Sequence, residues 1–224
     1  MAYERKGDNP ELRVVSAGCS TGTEIDSMLA LIKRSGREER IVMKGWDINE
    51  YALLAARAGR HYVPLNVPGR PFEWEPDELG DTLREYGFEV SQSGQARRRP
   101  GYLADSAPVR QDHGVEFVQC DLSEGVPAGK PADLIMANNM LYHLTTKKAE
   151  DVIRHLAASL AEHGVLSIGD TEYGYIPMKN GHGSTFRITY GEWLLKTVDS
   201  LYRESGVEPI ASGLKGLPTM FAKV

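Results

Sequence analysis

The residues of this chain best equipped for chemistry stand where short apolar runs end. Gly18-Cys19-Ser20-Thr21-Gly22 follows the run Leu12 to Ala17, and Asp47 and Ile48 follow Ile41 to Trp46. Asp121 and Leu122 come just after Val115 to Gln119, and Asn138, Asn139, Tyr142 and His143 come after Leu134 to Ala137. Two glycines in a strand-to-helix turn allow backbone angles and close approaches that a Cβ would block, and a helix beginning near Thr23 aims its free N–H groups at the same place. Such a turn favours an anionic group and reads as a nucleotide-cofactor loop; a purely structural turn is the alternative. Asp47 at a strand end can accept from paired hydroxyls or cap the helix that follows. Asn138 and Asn139 can face a ligand or cap their strand end. His143 can move a proton near neutral pH or simply pack between Leu141 and Leu144.

Positioning these groups requires alternating strands and helices. Leu12 to Ala17 predicts the first strand, and Ile25, Met28, Leu29 and Ile32 repeat at helical spacing until Gly36. Ile41 to Trp46 predicts a second strand, followed by a helical stripe of Tyr51, Leu54, Ala55 and Ala58 closed by Gly59. A βαβα beginning demands a parallel sheet. Between His61 and Gly114 the alternation lapses: Pro64, Pro68, Pro71 and Pro76 punctuate an irregular stretch with a short helix expected from Pro76 to Tyr86. So long a connection is expected to be an elaboration over the cofactor or substrate, or a packing decoration.

Val115 to Gln119 and Leu134 to Ala137 predict the third and fourth strands. A helix from Thr146 carries Ala149, Val152, Ile153, Leu156, Ala157 and Leu160 on one face, and Val165 to Gly169 predicts the fifth strand. A polar loop over Asp170 to Thr189 and a helix around Trp193 to Glu204 follow. The last two strands, Glu208 to Ala211 and Thr219 to Lys223, are separated by too few residues for a crossover helix, so they must be antiparallel.

The chain has 224 residues, 41% apolar and 25% charged, which suits one domain over residues 1–224 with a substantial core and an elaboration at about 61–114. Only Cys19 and Cys120 occur, with no zinc-type Cys/His spacing, so neither a disulfide framework nor a metal is expected. A net charge of −5 argues against non-specific nucleic-acid binding. Arg97-Arg98-Arg99 reads as a solvated loop or, less simply, a contact for an anionic substrate or partner. No apolar run could span a bilayer, and Met1 to Pro10 lacks a signal core, so a cytoplasmic location is expected.

A parallel αβ sheet ended by an antiparallel hairpin resembles the Rossmann-like fold of class I S-adenosylmethionine methyltransferases. The dinucleotide G-x-G-x-x-G and the phosphate-loop Gly-Lys-Ser/Thr are both missing. Closer still, Ser16-Ala17-Gly18-Cys19-Ser20-Thr21-Gly22-Thr23-Glu24 resembles the S-A-x-x-S-T-G-E-E motif of chemotaxis receptor glutamate methyltransferases of the CheR type. Asp47-Ile48 falls where that family has T-D-I, and Ala56-Arg57-Ala58-Gly59-Arg60-His61-Tyr62 resembles its A-R-x-G-x-Y. Val115-Glu116-Phe117 precedes Asp121-Leu122 as V-x-F precedes N-L, and Gly169-Asp170-Thr171-Glu172 resembles G-x-S-E. The implied fold is α/β, a mostly parallel seven-stranded sheet with a C-terminal antiparallel hairpin.

The resemblance implies S-adenosylmethionine as cofactor and S-adenosylhomocysteine as product. Its amino acid carboxylate is expected against the N–H groups of the Gly18 to Gly22 turn, with Ala17 also among the cofactor-binding residues, and its amino group at Glu24, whose other reading is a favourable charge at a helix start. Its ribose is expected at Asp47 beside Ile48, and its adenine at Asp121 and Leu122; Asp121 could equally be a turn residue. Asn138 and Asn139 are expected at the cofactor or acceptor. His143 and Asn139 are the catalytic candidates, and Tyr142, Tyr173 and Tyr175 the acceptor-binding ones. Lys179, His182, His61 and Tyr62 carry weaker expectations of the same kind.

The departures steer the acceptor. That family's N-terminal helical domain is not expected in so short a lead before the first strand. Its C-R-N-V-x-I-Y-F stands here as Ala137-Asn138-Asn139-Met140-Leu141-Tyr142-His143-Leu144, with Asn138 for the arginine and His143 for the tyrosine. The Asn-Met-Leu-Tyr-His-Leu run resembles the corresponding motif of small-molecule methyltransferases. The expected function is methyl transfer to a carboxylate, amine or hydroxyl of a small metabolite, with no nucleic-acid or membrane partner. A CheR-like protein-glutamate methyltransferase with a protein acceptor and a non-catalytic cofactor-binding module are the alternatives.

Overall fold

Val14 and Val15 are neighbours in sequence and face opposite layers, as side chains on a strand must. Val14 packs with Ile25, Leu29, Met43 and Leu53, and Val15 packs with Ile135, Val152, Ile153 and Leu156, so two cores sandwich one sheet. The computed structural model describes residues 11–34, 40–64, 81, 83–85, 87–92, 101–105, 114–138, 140–168, 204, 206–212 and 218–223.

The elements in chain order are β1 (Glu11–Ala17), α1 (Thr23–Arg34), β2 (Arg40–Asp47), α2 (Glu50–Ala58), β3 (Arg60–Pro64), β4 (Glu89–Gln92) and β5 (Gly101–Asp105). Then come β6 (Val115–Gln119), β7 (Ala132–Met136), α3 (Thr146–Ala158), β8 (Leu160–Ser167), β9 (Val207–Ser212) and β10 (Pro218–Lys223). The main sheet has seven strands in the order β6-β2-β1-β7-β8-β10-β9. β1 runs parallel to β2 and β7, β2 to β6 and β7 to β8. β10 is antiparallel to both β8 and β9. This is the expected Rossmann-like sheet with its terminal hairpin. Because the order reverses between β1 and β7, the carboxyl ends of the strands open a crevice there, where such sheets hold ligands.

Three expectations need correction. The stretch at 61–114 is not merely irregular, because β3, β5 and β4 form a three-stranded antiparallel sheet with Tyr62 opposite Leu103 and Val90 opposite Ala104. The prolines after Pro64 obscured strands that the branched and aromatic residues on either side support. Helical residues occur at 81 and 83–85, inside the helix expected there. The stripe assigned to α2 is on the wrong face: Leu53 and Ala56 are buried, whereas Tyr51 is 85% and Leu54 54% exposed. Apolar character alone could not say which of two alternative stripes meets the sheet. Finally, α3 ends at Ala158, so Leu160 belongs to β8. β8 is interrupted where His163 takes a positive φ of 61°, and regular pairing resumes at Val165. The polar loop at 170–189 lies outside the described residues, as does most of the helix expected to end at Glu204.

Candidate functional site

The turn after β1 is held by its own backbone. The Gly18 and Cys19 N–H groups donate to the Trp46 carbonyl at 2.7 and 3.0 Å, and the Gly22 N–H donates to the Cys19 carbonyl at 2.9 Å. Gly18 has φ +70°, and a Cβ there would stand 2.8 Å from Met140 Cβ, so the closeness it permits is to the end of β7. Gly22, at φ +81°, lies against the Phe117 ring. The tie continues through Asp47, whose Oδ2 accepts from the Ser20 N–H and Oδ1 from the Asn49 N–H, both at 2.8 Å. Thus β1, β2 and β7 meet around one loop.

These bonds revise the expected carboxylate cradle. The N–H groups of Gly18, Cys19, Ser20 and Gly22 are all spent inside the protein, leaving Thr21 and the start of α1 to meet an anion. Ala17 is 1% exposed and lies in the core, and Gly22 is likewise buried; neither lines the cavity. Asp47 does not cap α2 either, since Asn49 does so, accepting from the Tyr51 N–H at 3.0 Å. One acceptor position remains on each Asp47 oxygen, which is what a pair of vicinal hydroxyls needs.

The cavity has a volume of about 670 Å³ and opens at the carboxyl ends of β1, β2, β6 and β7. Gly18, Cys19, Ser20, Thr21 and Glu24 wall one side, with Asp47 and Ile48 beside them; Asp121 and Leu122 come from beyond β6, and Asn138 and His143 from beyond β7. Sequence reasoning passed over Ser16, Thr23, Asn49, Cys120, Ser123, Met140, Leu144 and Val152, which also line it. Ser16 is the consequential omission. Its hydroxyl donates to Glu24 Oε2 at 2.6 Å, while Asn138 Nδ2 donates to Glu24 Oε1, so one carboxylate clasps the ends of β1 and β7. A buried serine on an apolar strand, followed eight residues later by an acid at the helix start, was the signal available.

Asp121 folds back on its own turn, its Oδ1 accepting from the Ser123 N–H at 2.9 Å and hydroxyl at 2.7 Å. Those bonds hold its carboxyl below the usual range. Leu122 is 6% exposed and turns an apolar surface to the cavity. His143 ends a short 3₁₀ turn, Leu141–His143, and its side chain is exposed at the cavity rim. Tyr142 belongs to the same turn. Asn139, Tyr173, Tyr175, Lys179 and His182 lie outside the described residues. His61 and Tyr62 sit on β3, in the smaller sheet.

Burial pushes the Cys19 thiol up to about 12 and the Cys120 thiol up to about 11, with the Asp47 charge adding to each. Both cysteines are free. A thiol so disfavoured as thiolate is a wall, not a nucleophile. Among the described residues no cluster of His, Cys, Asp or Glu could hold a metal, and no helix is long and apolar enough to cross a membrane.

Residues 105–187 match the family model "CheR methyltransferase, SAM binding domain". That segment is similar to CheR-type domains. It contains Asp121, Leu122, Asn138 and His143, while the turn after β1 precedes it. A Pseudomonas putida protein, Cher3, itself a methyltransferase by assignment, is 42% identical over 50 residues, or 22% of this chain and 18% of that protein. The match thus spans under a fifth of that relative's length. Among solved structures, magnesium protoporphyrin IX methyltransferase (ChlM) from Synechocystis PCC 6803 with bound SAH is 16% identical, covers 99% of this chain and 78% of its own, and has a TM-score of 0.49. A TehB-like SAM-dependent methyltransferase from Corynebacterium glutamicum is 15% identical over 99% of this chain and 83% of its own, at a TM-score of 0.47.

The CheR-type segment carries its departures into the site. Asn138, standing where the resembled motif has arginine, is committed to Glu24, and His143, standing where it has tyrosine, is at the rim. A long cation and a phenol are thereby replaced by a short amide and an imidazole.

Proposed function

We propose that this chain is an S-adenosylmethionine-dependent methyltransferase acting on a carboxylate, amine or hydroxyl of a small metabolite. The observation that carries the reading is the cavity at the reversal of the sheet, lined by both Asp47 and Glu24. Its residues suit that cofactor's parts. Asp47 keeps acceptor positions for a ribose, Leu122 offers an apolar face for adenine, and Glu24 supplies a negative charge for an α-ammonium. Ser16 and Asn138 hold that carboxylate still, which lowers the ordering cost of binding.

When bound, the cofactor supplies a methyl group on a sulfonium, open to in-line attack. What the protein must add is alignment, with the acceptor atom held about 3–3.5 Å from the carbon and water kept out. His143, at the rim, is assigned to orient the acceptor and, for an amine or hydroxyl, to take its proton. A carboxylate acceptor needs only the orientation. The single domain spanning residues 1–224 and a cytoplasmic setting belong to the same proposal.

A second reading, transfer to a protein glutamate, is favoured by the CheR-type match itself. The loss of the arginine and tyrosine from the β7 side weighs against it. Calorimetry with S-adenosylhomocysteine tests the pocket, and transfer of labelled methyl from S-adenosylmethionine to panels of metabolites and of glutamate-containing receptor peptides tests the acceptor. Product on metabolites upholds the first reading and product on peptides the second. Tight cofactor binding without any product would leave a binding module. His143→Gln should cut turnover while leaving S-adenosylhomocysteine affinity unchanged.

A further inference from the structure

Asp121 and Leu122 reach the cavity on a tight turn, closed by the Glu124 N–H donating to the Asp121 carbonyl at 3.0 Å. A bond between the first and last residues of such a turn leaves the peptide group in its middle without a partner inside it. Here that group is the peptide joining Leu122 to Ser123. Its N–H donates to Asp121 Oδ1 at 2.9 Å, and its carbonyl oxygen accepts from Nδ1 of His155, on α3, at 2.9 Å. Since a carbonyl can only accept, Nδ1 carries the proton whether the imidazole is neutral or charged.

The two bonds act on one rigid unit. A peptide is planar, with its N–H and C=O pointing opposite ways, so it cannot tilt to loosen one bond without disturbing the other. His155 thus reaches the Asp121 carboxylate through a single peptide, although it lies outside the cavity lining. Apolar packing could not do the same. Leu122 is 6% exposed and shares a core with Val152 and Leu156 of α3, which seats the turn on the helix, but such contacts carry no direction. The hydrogen bond supplies it. Asp121 Oδ2 takes no bond from the described residues, so the carboxylate keeps an acceptor for an N–H of a ligand in the cavity it lines.

We infer, on the reading of this cavity as the S-adenosylmethionine site, that His155 is a positioning residue for the cofactor's base: by pinning the peptide between Leu122 and Ser123 it aims the Asp121 carboxylate at the exocyclic amine of adenine. The consequence is selectivity, because an aimed carboxylate favours an amino group and repels a carbonyl oxygen in the same place. S-inosylhomocysteine, which carries a carbonyl where S-adenosylhomocysteine carries that amine, is therefore the informative probe.

His155→Ala removes the donor and puts the best helix former in its place, and His155→Asn returns an amide N–H at the same number of bonds from the backbone. In the ligand-free protein, the Ser123 N–H should exchange with solvent about three- to tenfold faster in the alanine variant, as loss of one hydrogen bond predicts. The Cys120 N–H, held by the Asp47 carbonyl at 2.9 Å, should keep its rate, whereas a general loosening would speed both. In calorimetry the wild type should prefer S-adenosylhomocysteine to S-inosylhomocysteine by about tenfold or more. His155→Ala should weaken S-adenosylhomocysteine about three- to tenfold and leave S-inosylhomocysteine nearly unchanged, which narrows the preference. His155→Asn should restore both the slow exchange and the preference. Equal changes at Ser123 and Cys120, an unaltered preference, or no rescue by asparagine would overturn the role of His155. Wild-type protein that bound neither nucleoside would overturn the cofactor reading, and the base as target with it; the Ser123 rate would then decide alone whether His155 sets the turn.

Discussion

At the scale of single residues, the site is distinguished by polar groups that hold one another before any ligand arrives. Ser16 is 1% exposed, and its 2.6 Å bond to Glu24 is a hydrogen bond to a charged group, of a kind that contributes about 1.5–3 kcal/mol. Ser16→Ala should therefore lower the unfolding free energy measured by urea titration by an amount in that range and, with Glu24 loosened, weaken S-adenosylhomocysteine binding in calorimetry. Unaltered affinity would remove Glu24 from the cofactor's amino end. The cysteines yield a prediction about pH. Their folded values, about 12 for Cys19 and about 11 for Cys120, lie above an ordinary value near 9, so the native state retains protons that the unfolded chain releases. The resulting stability is complete below pH 9 and is lost as pH climbs toward 11 and 12. Native protein should resist iodoacetamide at pH 8, and the fall in urea midpoint between pH 8 and pH 10.5 should be shallower in a Cys19→Ala/Cys120→Ala variant.

At the scale of elements, the turn between β1 and α1 owes its shape to Gly18, which answers two demands at once. Its φ of +70° is one that side-chain-bearing residues rarely adopt, and a Cβ would collide with Met140. Gly18→Ala should destabilise by about 1–3 kcal/mol through backbone strain and the clash together. Adding Met140→Gly, which removes the clashing Cβ, should recover only the steric part relative to Met140→Gly alone, as urea unfolding of the variants would show; full recovery would mean that the φ carries no cost. This element was legible beforehand because strand, glycine turn and amphipathic helix each leave a local mark. The clasp of Glu24 by Ser16 and Asn138 was not, since Asn138 lies 114 positions away and only the β1–β7 pairing brings it near. The same reason explains α2: Tyr51 and Leu54 fit the helical period as well as Leu53 and Ala56 do, and the sheet chose between them. The small sheet of β3, β5 and β4 escaped notice because its partners are separated by proline-rich sequence that carries no pairing signal.

At the scale of the whole molecule, the parallel sheet was readable from the alternation of strands and helices and its antiparallel end from the short link between the last two strands, while the structure supplied the strand order. The position of the crevice follows from that order, with no side chain consulted. Its walls come from β1, β2, β6 and β7 together, so a ligand seated there touches groups separated by more than 100 positions in the chain. Binding must then be felt as global stability, since unfolding any of these strands dismantles the site. At about 100 times its dissociation constant, S-adenosylhomocysteine should add about 2.7 kcal/mol, which for a chain of this size raises the melting temperature by about 5–10 °C. Asp47→Ala should abolish most of that rise by removing the ribose partner and the tie to Ser20. Val42→Ala, on β2 but outside the cavity lining, should melt somewhat lower and yet retain the full rise. A rise that survived Asp47→Ala would place the nucleoside elsewhere on the sheet edge, because Asp47 is the acid from the end of β2 that lines the cavity.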